Sequence, residues 1–365
     1  MADWNEAKNI LAVRLDSLGD VLMTTPALRA LRGSAGARRI TLLTSACGAQ
    51  VAPRVPEIDE VIVYDAPWLK ATSPRTSSVP EREMAALLKA RRFDGAVIFT
   101  VYSQNPLPAA FLCYLAEIPR RLAHCHENPY QLLTDWLPDP EPQQFVRHEV
   151  ERQLDLVAAI GCHTADRRLS FRVPALARQR VVRLLERHKV DSTRPWLVIH
   201  PGASAPSRRY PPELFAAAAA MLMRRLKAQI VFTGDEAEQA LIDGIRKKLP
   251  RASCSLAGEL ALVELGGLIE MAPLIIVNNT GPVHIAAALG TSVVDLYALT
   301  NPQHTPWLVE SRVLNHDVPC KYCYQSICPE GHQACLAQVP PEAVFAAACE
   351  LFAQSREAAP RAATG

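Results

Sequence analysis

The chain has 365 residues, 49% apolar, 21% charged and 6% aromatic, with a formal net charge of +2. That length exceeds what one hydrophobic core comfortably serves and predicts two domains, while scattered Lys and Arg at near-zero net charge do not argue for nucleic acid. No apolar run reaches the length of a bilayer span, and the N-terminus, Met-Ala-Asp-Trp-Asn-Glu, lacks the charged-then-apolar order of a signal peptide, which points to the cytoplasm.

Ile10–Leu15 is an apolar, β-prone run, Ser17 and Gly19 break it, and Val21, Leu22, Leu28 and Leu31 continue at helical spacing. This predicts strand, tight turn and helix, with Asp20 at the turn, where open parallel sheets keep their ligands. Pro26 predicts either a kink or a helix restarting at Thr25. Strands follow at Ile40–Thr44, Glu60–Tyr64 and Gly95–Thr100, with helices at Pro80–Arg92 and His148–Ile160. The Ser/Thr/Pro-rich stretch 67–80 and the Pro-rich stretch 128–145 read as irregular.

The pattern then restarts. Strands are predicted at Trp196–His200, Gln229–Thr233, Leu274–Asn278 and Ser292–Tyr297. Helices are predicted at Val181–His188, Pro212–Arg225, Glu236–Lys248, Leu262–Met271 and Pro282–Leu289. Alternating strands and helices imply parallel sheets with right-handed crossovers, so the chain is α/β, in two successive units hinged near 161–178. The tail after Ser355 reads as disordered.

Two strand-exit loops in the second half suit anions. In Val277-Asn-Asn-Thr-Gly-Pro-Val-His284 a helix begins at once after the strand, so free backbone N–H groups and the positive helix end lie beside Thr280 and Gly281, with His284 one turn in. Asn279 and Thr280 either meet a ligand there or simply cap the helix. In His200-Pro-Gly-Ala-Ser-Ala-Pro-Ser-Arg-Arg-Tyr, small residues admit a ligand to the backbone, and Ser204, Arg208 and Arg209 can face anionic oxygens. Gly234-Asp-Glu-Ala-Glu238 opens another helix, where its acids either favour the helix start or hold ribose hydroxyls. The chain has no Walker pattern and no Gly-x-Gly-x-x-Gly.

Of ten cysteines, four cluster as Cys320-x2-Cys323-x4-Cys328-x6-Cys335, with His316 and His332 interleaved. The cluster reads as a structural zinc or iron site or as a metal-free thiol cluster.

Leu-Gly-Asp20-x4-Thr-Pro, the Pro-Gly-Ala-Ser…Arg-Arg-Tyr-Pro loop, Leu256-Ala-Gly-Glu and Asn279-Thr-Gly-x-x-His-x-Ala-Ala-Ala occur in that order between about residue 9 and about residue 350. Together they resemble glycosyltransferase family 9, the ADP-heptose:lipopolysaccharide heptosyltransferases. They are most similar to its heptosyltransferase II-like members, many of which carry a C-terminal cysteine-rich segment. The resemblance implies a GT-B fold, two Rossmann-like domains with parallel sheets facing across a cleft. It places an acceptor domain at 1–170, a nucleotide-sugar domain at 171–340, and a helix at 341–354 packing back on the first domain, before a disordered tail at 355–365.

It further implies inverting transfer of a heptose from ADP-heptose to a lipopolysaccharide core or other cell-envelope glycan, with no metal needed for the chemistry. The enzyme would be cytoplasmic, with room for peripheral contact at the inner face of the inner membrane because the acceptor is lipid-linked. Asp20 matches the general base, Arg208 stands where the family usually has Lys, and Ser204 matches a hydroxyl donor to the same phosphates. Thr280 and Gly281 match backbone donors, His284 a histidine, Glu238 a carboxylate near the nucleoside and Leu260 an apolar wall for the base. The family usually has Asp where this chain has Asn279. That exchange leaves open a family member with another nucleotide sugar, or a nucleotide-sugar-binding protein impaired in catalysis. An epimerase is disfavoured, since neither Tyr-x-x-x-Lys nor a glycine fingerprint is present.

Overall fold

The computed structural model describes residues 3–358 apart from 35, 37 and 71, with side chains to 354. The chain forms two compact units, Met1–Arg172 and Val173–Gly365. The first runs β1 (Asn9–Val13), α1 (Leu18–Gly33), β2 (Arg39–Thr44), α2 (Ala46–Ala49), β3 (Glu60–Val63), α3 (Val79–Ala90), β4 (Gly95–Ile98), α4 (Leu107–Leu115), β5 (Arg121–Cys125), β6 (Asp135–Pro138) and α5 (Glu149–Ala158). The second runs α6 (Ala175–Arg187), β7 (Trp196–His200), α7 (Pro212–Arg225), β8 (Gln229–Phe232), α8 (Gln239–Arg246), β9 (Cys254–Ser255), α9 (Leu262–Met271), β10 (Leu274–Asn278), α10 (Gly281–Leu289), β11 (Ser292–Leu296), β12 (Ser311–Leu314), α11 (Ala334–Ala337) and α12 (Pro341–Ala358).

Each unit holds a six-stranded sheet, β3-β2-β1-β4-β5-β6 in the first and β9-β8-β7-β10-β11-β12 in the second, and the paired strands run parallel throughout. Counted within its unit, each order is 3-2-1-4-5-6, that of the doubly wound Rossmann sheet. Parallel strands covered on both faces read as continuous apolar runs rather than alternations. Ile10, Leu11 and Val13 of β1 and Ile275–Val277 of β10 are accordingly buried, each such side chain contributing roughly 1.5–3 kcal/mol.

In both units the strand order reverses between the first and fourth strands, and ligands of open α/β sheets lie outside the carboxyl ends at that point. The chain leaves the sheet there at 14–20 after β1 in the first unit, and at 201–210 and 279–281 after β7 and β10 in the second.

Helix α1 passes through Pro26 without a break. Proline removes the N–H that would bond the carbonyl four residues back. Here the Thr25 hydroxyl donates to that carbonyl, Leu22 O, and the helix does not restart at Thr25.

Seven elements escaped the sequence pattern. Helices α2, α4 and α11 and strands β5, β9 and β12 are unannounced, and the stretch 128–145, read as irregular, contains β6. The expected terminal helix is present as α12. Val344, Ala348 and Leu351 of α12 lie in the second unit's core with Phe215, Leu222 and Leu296. Of the tail read as disordered, backbone to Ala358 continues α12, and 359–365 lie outside the described residues.

Candidate active site

At the first switch point, Asp20 is the third residue of α1, where a carboxylate complements the helix start. Its Oδ2 accepts from Ser17 N (3.0 Å) and Ser17 Oγ (2.6 Å), and its Oδ1 from Arg14 Nη2 (3.0 Å). Arg14 is fully buried and also pairs with Glu149 Oε1 at 2.7 Å and Asp16 Oδ2 at 3.1 Å. One cation thus serves three carboxyl groups. Burial alone would lower the Arg14 pKa, but Glu149, Asp16 and Asp20 together hold it above its ordinary value. Burial raises the Asp16 carboxyl to about 6 against the pull of Arg14, and raises Glu149 as well.

Asp16 Oδ1 accepts from Gln104 Nε2 at 2.5 Å. Gln104 lines a cavity of about 160 Å³ with Tyr102, Asn105, His126 and Glu127, beside the carboxyl ends of β4 and β5. Asp20 therefore belongs to a polar cluster that adjoins a concave surface. Asp20 stands out in the sequence, whereas Asp16, Gln104 and Glu149 do not figure among the residues expected there. Asp16 was detectable as an acid directly after a buried strand; Gln104 and Glu149 reach the cluster through tertiary packing.

At the second switch point Asn278, fully buried, ties the two exit loops together. Its Nδ2 donates to Pro201 O (2.7 Å) and its Oδ1 accepts from Tyr210 N (3.0 Å). Gly202 is required on steric grounds, since a Cβ there would fall on the Glu238 carboxylate. Burial raises the Glu238 pKa. Burial lowers His200 to about 4, so that imidazole is neutral at pH 7. The turn carrying Arg208 is pinned from the cysteine-rich segment, with Ser207 N donating to Ser326 O (3.0 Å) and Ser207 Oγ to Gln325 O (2.7 Å). Ser204 is exposed, and Arg208 is half-buried and forms no ion pair among the described residues. Its charge lowers the pKa of the Tyr297 hydroxyl, which burial raises, so Arg208 stands near the carboxyl end of β11.

The capping alternative for Asn279 and Thr280 is not what the structure adopts. Thr280 Oγ1 donates to Asn278 O at 3.2 Å, and Asn279 Nδ2 donates to Asp295 Oδ2 and His304 O, both at 2.9 Å. No side chain caps α10, and Pro282 lies in its first turn, where its missing N–H costs nothing. His284 is buried with its ring 6.4 Å from that of His304. Leu260 is half-buried just before α9, after a turn in which Gly258 N donates to Gly234 O at 3.0 Å and so joins the Leu256-Ala-Gly-Glu turn to that leading into Glu238. The loops carrying Ser204, Arg208, Glu238, Asn279, Thr280 and Gly281 thus lie at the carboxyl ends of neighbouring strands β8, β7 and β10. Asp295 is not among the residues expected from the sequence, although an acid inside the buried run Ser-Val-Val-Asp-Leu-Tyr is itself a signal.

Of the two readings of the cysteine cluster, the zinc or iron site finds no support among the described residues. Cys320, Cys323 and Cys328 lie near enough to add to the burial that raises the Cys335 thiol pKa. Yet among the described residues no group of His, Cys, Asp and Glu is arranged to hold a metal ion, and the thiols are free. This segment instead braces the Arg208 turn.

Two six-stranded Rossmann-like sheets with polar loops at both switch points define the GT-B class of glycosyltransferase. The family model for glycosyltransferase family 9 (heptosyltransferase) matches residues 82–334, and the chain belongs to that family. It is 26% identical to lipopolysaccharide heptosyltransferase 2 of Escherichia coli (strain K12) over 349 residues, 92% of this chain and 96% of that one. It is 27% identical over 233 residues to lipooligosaccharide heptosyltransferase 2 of Haemophilus influenzae, spanning 61% of this chain and 65% of that protein. The solved family 9 glycosyltransferase of Veillonella parvula superposes with a TM-score of 0.77 at 23% identity, covering 95% of this chain and 97% of that one.

Proposed function

We propose that this glycosyltransferase transfers a heptose from ADP-heptose to a lipopolysaccharide core or related cell-envelope acceptor, with inversion at the anomeric carbon and without a metal in the chemical step. The observation that carries the reading is the division of chemistry between equivalent points of two like sheets. Carboxylates gather where the first sheet reverses order; glycine-rich turns, an uncapped helix start and an unpaired Arg208 gather where the second does.

In this mechanism Asp20 takes the proton from the acceptor hydroxyl as its oxygen attacks the anomeric carbon and ADP departs. Ser17 and Arg14 hold the carboxylate in place, and the cavity beside Gln104 receives the acceptor. Arg208, Ser204 and the backbone N–H groups at Thr280 and Gly281 meet the charge growing on the leaving diphosphate, the largest electrostatic demand of the step. Glu238 holds the ribose, Leu260 flanks the base, and Asn279 with His284 faces the sugar. Since the acceptor is lipid-linked, the enzyme works peripherally at the inner face of the membrane; no described helix is long and apolar enough to cross one.

Incubating the protein with ADP-heptose and a heptose-deficient lipid A–core acceptor should release ADP and extend the glycan by one heptose, with the new linkage opposite in configuration to the donor. Turnover that requires added divalent metal, or retained configuration, would overturn those parts of the reading. ADP-heptose binding without release would favour the impaired-binder alternative raised by Asn279.

A further inference from the structure

Resting on that reading, we propose that Asn279 and Asp295 act as one sugar-holding unit, in which Asp295 fixes the Asn279 amide so that its carbonyl oxygen is presented to a hydroxyl of the donor sugar. The carboxyl group that the family resemblance places at 279 is present in this chain one strand over, and Asn279 is its extension into the site.

The hydrogen bonds fix which way the amide faces. A side-chain amide has two donor hydrogens on nitrogen and an acceptor oxygen. The Asn279 nitrogen lies 2.9 Å from His304 O, a backbone carbonyl that can only accept, so that position must be nitrogen. Its other hydrogen goes to Asp295 Oδ2 at 2.9 Å. Both donors are thereby used within the protein, while Oδ1 has no protein partner among the described residues and is the atom left for a ligand.

Asp295 is fully buried on β11, flanked in register by Val277 of β10 and Val313 of β12. No cation among the described residues pairs with it, and its Oδ1 has no hydrogen-bond partner. A buried polar atom without a partner costs free energy. Such an acid is retained here because it anchors Asn279. Burial, offset in part by the Asn279 hydrogen bond, raises its carboxyl to about 8, so it is largely neutral at pH 7. The unit therefore offers the sugar a neutral, single-oxygen acceptor in place of a carboxylate. Two acids at 279 and 295 would be in contact, and like charges so close cannot both ionise.

The test is a double-mutant cycle on the full chain, reading turnover at saturating ADP-heptose and affinity for ADP by calorimetry. Asn279→Asp and Asp295→Asn should each lower kcat roughly tenfold or more, with ADP affinity within about twofold, because the lost contact is to the sugar. The exchange variant Asn279→Asp/Asp295→Asn, which restores one acid and one amide in contact, should recover most of the lost kcat. Asp295→Ala, smaller and neutral, serves if the exchange variant does not fold; it should lose kcat like Asp295→Asn at unchanged ADP affinity. Unchanged kcat in Asp295→Ala, or an exchange variant that binds ADP normally yet is as slow as the worse single variant, overturns the proposal. A wild-type protein that neither binds nor turns over ADP-heptose overturns the functional reading, and this proposal with it.

Discussion

The two units share one strand order, yet Asp20 and Asp295 are buried in opposite settings. The first gathers Asp16, Asp20 and Glu149 around the buried Arg14. The second buries Asp295 with no cation, held by an amide alone. Paired to a guanidinium, a carboxylate can stay charged and serve as a base; without a counter-ion, burial favours the neutral form. The same switch-point geometry thus carries a cluster of acids around a buried cation in one unit and, in the other, a largely neutral buried acid beside the loops that follow β7 and β10. Charge is set by which side chains are brought together at that point, not by the strand order.

The largest effect should come from the first cluster. Asp20→Ala should lower turnover by roughly two to four orders of magnitude, the usual worth of a positioned base, while ADP affinity stays near that of the wild type. Steady-state ADP release and calorimetry check this together, and normal turnover would break the assignment of the base to the first unit. Arg14→Met removes the cation and leaves three acids facing one another. Because a buried pair broken on one side leaves uncompensated charge, it should cost about 3–5 kcal/mol of stability, read from the urea midpoint. A midpoint unchanged from the wild type would mean that the cluster is not held by Arg14.

The contrast was only partly legible in the sequence. Asp20, Ser204, Arg208 and Thr280 sit in contiguous strand-exit segments, where a buried run followed by small residues marks the end of a parallel strand. Asp295 and Asn279 are 16 residues apart and Arg14 and Glu149 are 135 apart; such pairs exist only once strands and helices have packed. The Arg121–Cys125 strand hid because Arg and His interrupt its apolar run, although all five residues are buried.

The phosphate side of the contrast is tested by Arg208→Ala, which should weaken ADP binding roughly tenfold to a hundredfold, the worth of a charge-assisted hydrogen bond. Unchanged affinity would remove Arg208 from the phosphate site. The neutral side is tested by pH. The folded-state value of Asp295, about 8, lies above the ordinary carboxyl value of 3.8. Below about pH 4 both folded and unfolded chains hold this proton. Between about pH 4 and 8 the unfolded chain releases it first, so this group lowers folding stability as pH rises and levels off above about 8. Asp295→Asn should flatten the fall in melting temperature across that window, and an unaltered slope would mean that Asp295 is ionised in the folded protein.

The smallest expected effect concerns the helices that follow the two switch-point strands, both of which contain proline. In α10, Pro282 sits in the first turn, where no N–H is needed. In α1, Pro26 is interior and leaves Leu22 O without its helical donor, a deficit met by the Thr25 hydroxyl, which also accepts from Ser170 N at 3.0 Å. Thr25→Val keeps the shape and removes both bonds, so it should cost about 1–3 kcal/mol, measured by denaturant unfolding. Adding Pro26→Ala to that variant restores a backbone donor for Leu22 O and should recover part of the loss, whereas the bond to Ser170 stays broken. If Pro26→Ala recovers nothing, the hydroxyl is not standing in for the missing helical bond, and the continuity of α1 through Pro26 must come from packing of its buried face alone.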